Sequence, residues 1–147
     1  MESLDIGGTK FTDDGVAHLA SAVWLKNLTL NGTQLTPALL VHLRRLPQLS
    51  ELHLYLWYGG SKGDRFGPPP IEEIDKGREA MKLLGEFPEL TELDTRGNLM
   101  VPEVLTPVTK LAPLQRFKVD GRYVSHQDFR RMQEAMPHCH VQRMNDR

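Results

Sequence analysis

One short pattern, L-x-x-L-x-L-x-G, recurs along nearly the whole chain, and such a period restricts the fold more than any other property of the sequence. Its first apolar column holds Met1, Leu25, Leu49, Leu90 and Leu114, and its second Leu4, Leu28, Leu52, Leu93 and Phe117. The third holds Ile6, Leu30, Leu54, Thr95 and Val119. Copies begin near residues 1, 25, 49, 90 and 114, a spacing of 24 everywhere except between 49 and 90, where it is 41, or 17 more than the period. Five copies therefore share one register, with an insertion over about residues 55–71 in the third.

The remaining columns say what each copy must be physically. Gly8, Gly32, Gly97 and Gly121 fall where a strand has to turn sharply, a place where glycine accepts positive φ without steric cost. The third copy has Leu56 there. Thr12, Thr36 and Ser125 suit helix N-caps, Pro37 and Pro102 a first helical position, and Ser125 with Asp128 three residues on resembles an acidic capping box. Val16/Leu19, Leu40/Leu43, Met81/Leu84, Leu105/Val108 and Phe129/Met132 form i, i+3 stripes that pack a helix onto the strand. Each unit thus reads as strand, turn, helix. One unit cannot bury both of its apolar faces alone, so neighbours must stack. The expected fold is α/β: a short right-handed horseshoe with a parallel sheet on its concave face and helices on its convex face.

The stretch Leu25-x-x-Leu28-x-Leu30-Asn31-Gly32-Thr33-x-Leu35-Thr36 resembles the leucine-rich-repeat family, and within it the ribonuclease-inhibitor-like subclass found in bacterial tandem proteins. The likeness covers about residues 1–141. The segment from Ala135 to Val141, with Pro137 and Cys139, is similar to the closing segment of such arrays. Thr95 in place of a core aliphatic and Arg122 in place of Asn or Thr depart from the pattern. The resemblance implies a single repeat domain over 1–147, closed by 137–147, that binds a protein and needs no cofactor.

Composition agrees with one domain. The chain has 147 residues, of which 39% are hydrophobic and 25% charged, enough for one buried core. Eighteen basic residues against nineteen acidic give a net charge of -1, which selects neither nucleic acid nor an anionic membrane as partner. Cys139 is the only cysteine, so no internal disulfide forms. No basic n-region with an apolar run opens the chain, and no stretch approaches the roughly 20 apolar residues of a membrane span. A cytoplasmic location is the default expectation.

Side chains alternate along a strand, so the residues between the leucines project onto the concave face in three ladders. The first is Ser3, Asn27, Glu51, Glu92, Arg116; the second Asp5, Thr29, His53, Asp94, Lys118; the third Gly7, Asn31, Tyr55, Arg96, Asp120. Polarity runs from small and neutral, through acidic, to basic. Either a partner meets these charges or neighbouring rungs pair with each other. The insertion Tyr55–Pro70 carries Trp57, Tyr58 and Phe66 among glycines, a composition suited to a recognition loop; the alternative is that these rings fold back to cap the core. The expected protein-binding residues are Tyr55, Trp57, Tyr58 and Phe66 as anchors, with His53, Asp94, Arg96, Arg116 and Lys118 setting charge complementarity. A second expectation is structural: the chain is one piece of a longer repeat array, or assembles end to end through the first strand, which no polar cap precedes and beside which Trp24 adds an apolar spot.

Catalytic and metal-dependent readings are weaker. Asp5-Ile6-Gly7-Gly8-Thr9-Lys10 resembles the phosphate-binding opening of actin-like sugar kinases, but Gly8 and Thr9 fall in repeat columns and the chain is too short for two lobes. His53, Asp94, Glu51 and Glu92 lie on adjacent rungs, and His138-Cys139-His140 places three ligand types together. Alternation sends Cys139 to the side opposite both histidines, so a buried structural cysteine is expected. No metal, no cofactor and no catalytic residue is assigned.

Overall fold

The computed structural model describes residues 2–8, 10–31, 39–55, 75, 78–79, 82–96, 106–121 and 124–144. The strands are β1 (Ser3–Asp5), β2 (Asn27–Asn31), β3 (Glu51–Tyr55), β4 (Glu92–Asp94), β5 (Arg116–Asp120) and β6 (His140–Met144). They form one sheet in chain order, and every neighbouring pair is parallel. Parallel neighbours require a crossover between strands. The described parts of these crossovers include α1 (Asp13–Ala17), α2 (Leu39–Leu43), α3 (His126–Ala135) and two 3-10 turns, His18–Ser21 and Thr106–Lys110. The sheet has one strand more than the five register copies, because the closing segment supplies β6.

The register is the repeat register. Leu28 pairs with Leu52, Leu52 with Leu93, Leu93 with Phe117, and Phe117 with Val141. All five are buried, as are Leu25, Leu49, Leu90 and Leu114 of the first column. Val16, Leu40, Leu43, Leu84, Val108 and Met132 close the core from the helical side. The offset from β3 to β4, Glu51 to Glu92, gives the same pairing as the 24-residue offsets elsewhere, so the insertion leaves the rungs undisturbed. Thr95 keeps its core column without an aliphatic side chain: it is buried, and its hydroxyl donates to the Lys118 carbonyl at 3.1 Å.

A tight turn leads the crossovers before β2, β3, β5 and β6 back into the strand. The N–H groups of Leu25, Leu49, Leu114 and Cys139 donate to the carbonyls of Ala22, Leu46, Leu111 and Met136. Pro47 and Pro137 take the second turn position, where a φ near −65° is already in place. Gly8 adopts φ +72°, as the strand-ending turn requires; a Cβ there would meet no atom, so backbone conformation alone selects glycine. Thr12 caps α1 by accepting from the Gly15 N–H at 3.4 Å, and Ser125 caps α3 by accepting from the Asp128 N–H at 3.1 Å. Gly32, Thr36, Pro37, Gly97 and Pro102 lie outside the described residues. At the fourth copy the described part of the crossover is a 3-10 turn rather than the expected α-helix. Spacing of three residues suits either geometry, and Pro107 with β-branched Thr106, Val108 and Thr109 weakens α-helix formation.

Candidate functional site: the concave sheet face

The register brings the expected charged residues together. His53, Asp94 and Lys118 are successive partners on one rung, and Glu92 and Arg116 are partners on the next. Glu92 is the centre of this group. Arg116 Nη2 lies 2.6 Å and Lys118 Nζ 3.1 Å from its carboxylate oxygens, and His53 Nε2 lies 3.9 Å away. Only 6% of Glu92 is exposed, so three neighbouring side chains take the place of its water.

Asp94 departs from expectation. It was expected to present charge to a partner, yet it is 0% exposed. Arg96 covers it with a forked contact, Nη2 to Oδ2 at 2.6 Å and Nε to Oδ1 at 2.9 Å, and the Arg96 backbone N–H donates to Oδ1 at 3.1 Å. Burial pushes the Asp94 carboxyl pKa up, but hydrogen bonds from the Arg96 side chain and backbone, with the charges of Arg96 and His53, outweigh it and hold it below the ordinary aspartate value. Asp120 is buried as well. Around Glu92 and Asp94 the ladders are therefore layered: the two carboxylates lie low against the sheet, and Arg96, Arg116 and Lys118 reach over them.

The other expected residues fall out differently. Tyr55 ends β3 opposite Asn31. Trp57, Tyr58 and Phe66 lie outside the described residues. Two members of this face were missed, His140 and Gln142, which extend the ladders of Arg116 and Lys118 onto β6. Continuing each ladder by one more period of 24 would have found them. Toward β1 the face is milder, with Asn27 Nδ2 donating to Glu51 Oε2 at 3.0 Å and Asp5 exposed.

β6 carries its own closure. Gln133 of α3 donates from Nε2 to the Cys139 carbonyl at 2.8 Å and to the Met136 carbonyl at 3.2 Å, while its Oε1 accepts the Val141 N–H at 3.1 Å. The His140 N–H points to β5, where it donates to the Gln115 carbonyl, so Val141 is the residue whose backbone faces outward. One side-chain amide thus pairs the first outward-facing backbone groups at the start of the outermost strand. Cys139 is buried, as expected, and burial pushes its thiol up to about 11. Such a thiol stays protonated at neutral pH and is a poor nucleophile. Among the described residues, no three His, Cys, Asp or Glu side chains gather as a metal-binding group. No helix among them is long and apolar enough to cross a membrane.

No protein-family profile matches the sequence, and no curated protein matches it. Among solved structures, the chain is similar to the Leptospira interrogans LRR protein LIC12759, with a TM-score of 0.50 and 20% sequence identity. The match covers 86% of this chain and 27% of that one, so the chain spans about a quarter of the length of its structural neighbour. Six parallel strands in repeat register, with helices and 3-10 turns between them, and this likeness together make the fold a leucine-rich-repeat α/β solenoid.

Proposed function

We propose that the chain is a non-catalytic protein-interaction module that meets its partner with the concave sheet face and with the aromatic insertion after β3. The observation that carries this reading is the continuous six-stranded sheet, which sets polar side chains of every repeat in register on one broad surface. A repeat array of this kind offers area rather than a pocket, and area with regularly spaced polar groups suits a protein surface. Among the described residues, the two carboxylates at the centre of this face, Glu92 and Asp94, are engaged in ion pairs, and the one thiol is buried. The ribonuclease-inhibitor-like subclass remains part of this reading, on the sequence pattern alone.

Affinity capture with mass-spectrometric identification, run with the intact chain and with a Trp57→Ala/Tyr58→Ala variant, tests the proposal. Capture should be lost in the variant while its thermal melting stays unchanged. Equal capture by both proteins removes the loop from the interface.

A second reading, assembly through β1, has its own support. The Glu2 carbonyl accepts from Lys26 and Asn27 and the Ile6 N–H donates to Thr29, so the backbone groups of Ser3 and Asp5 face away from β2. Val23 and Trp24 are exposed in the turn before β2, at positions that hold Pro47 and Gln48 in the next repeat. Light scattering over a concentration series separates the readings: a constant monomer mass retires assembly.

A further inference from the structure

Layering of charge on the concave face decides which hydrogen-bonding chemistry a partner meets there. From β4 to β6 the described carboxylates of this face are out of reach: Glu92, Asp94 and Asp120 are all at most 6% exposed. Above them, 59% of the Arg116 side chain is exposed, and Lys118 is partly exposed. His140, the rung partner of Arg116, is exposed and makes no side-chain hydrogen bond among the described residues. The formal charges nearly cancel, but their depths do not. A surface that approaches this end finds N–H donors: the guanidinium N–H groups that Glu92 does not take, an ammonium and an imidazole. Acceptors such as Asp5 and Glu51 lie toward the opposite end of the sheet.

We propose, resting on the protein-interaction reading, that the β5–β6 end of the concave face binds a carboxylate-rich segment of a protein partner through Arg116, Lys118 and His140. Glu92 is the positioning residue. By holding Arg116 and Lys118 from beneath it limits their rotamers, so less side-chain entropy is lost when a carboxylate binds. It also moderates the positive field, which favours a few well-placed carboxylates over a polyanion. A nucleic acid is the poorer fit: three donors on a chain of net charge -1 fall short of the about six to ten phosphate contacts that give strong binding.

Titration of the purified chain with three synthetic peptides, rich in Glu and Asp, in Lys, or in Ser and Gly, tests the proposal. The acidic peptide should bind, and its amide shift changes should fall on β5 and β6. Arg116→Glu should weaken binding by about tenfold or more, the loss expected of a charge-assisted hydrogen bond. Raising NaCl from about 0.05 M to about 0.5 M should weaken binding further by screening. Because a new carboxylate beside Glu92 disturbs the local charge balance, Arg116→Gln serves as a second variant and should show a smaller loss with an unchanged melting curve. Equal binding of the Lys-rich or neutral peptide, no binding at low salt, or full affinity in both Arg116 variants overturns the proposal. So does equal, competing binding of a single-stranded oligonucleotide of the same charge. If Arg116→Glu retains every captured partner while Trp57→Ala/Tyr58→Ala loses them, the interaction reading stands and the acidic-segment inference falls.

Discussion

The two outermost strands of the sheet face the same problem and meet it differently. β1 has three residues and β6 has five. Leu4 on β1 is only partly buried, as are Leu19 and Phe11 beside it, whereas Val141 on β6 is 3% exposed. Behind β1 stands the five-residue α1 with a short 3-10 turn; behind β6 stands the ten-residue α3, which buries Met132 and leads into buried Met136. Only α3 also sends an amide to the strand backbone, through Gln133. An end position therefore does not itself leave a strand open. Helix length and one polar side chain decide it.

The contrast can be broken most forcefully in the buried column. Leu93→Ala should cost about 3–5 kcal/mol in chemical denaturation, because a fully buried leucine leaves a cavity, while Leu4→Ala should cost less than about 2 kcal/mol. Equal losses would show that the β1 end is as tightly packed as the centre. Next in size is the amide closure. Gln133→Ala removes the partner of the Val141 N–H and of the Cys139 carbonyl and should cost about 1–3 kcal/mol, with faster hydrogen exchange at Val141 as its local signature. Protection unchanged at Val141 would mean that the strand edge is closed by something else. The smallest effect separates the helix caps. Ser125→Ala should cost about 1 kcal/mol, since Ser125 accepts from the Asp128 N–H and donates to its carboxylate, while Thr12→Ala, with a single 3.4 Å bond, should cost a few tenths. Reversal of that order would make α1 the better-anchored helix.

Most of the fold was legible in the sequence because its cause is periodic. Leu28, Leu52, Leu93 and Phe117 recur at one position of a repeating unit, and the pairing register repeats that recurrence strand by strand. Thr12, Ser125 and Gly8 were legible because each answers a local backbone demand. The layering of the concave face was not. Alternation says that Asp94 and Arg116 share a side of the sheet, but not that one lies beneath its neighbours and the other stands 59% exposed. That difference arises from side-chain length and from which cation reaches which carboxylate across strands. Gln133 was hidden for a related reason: a glutamine on a helix carries no mark that its partners lie six and eight residues further on.

The unbroken pairing of Glu51 with Glu92 has a consequence for how such an array can change. Since β3 and β4 meet in the same register despite 41 residues of separation instead of 24, the junction after Tyr55 accommodates 17 extra residues without renegotiating the strand pairing. It is a natural port for exchanging one inserted sequence for another while the scaffold stays untouched.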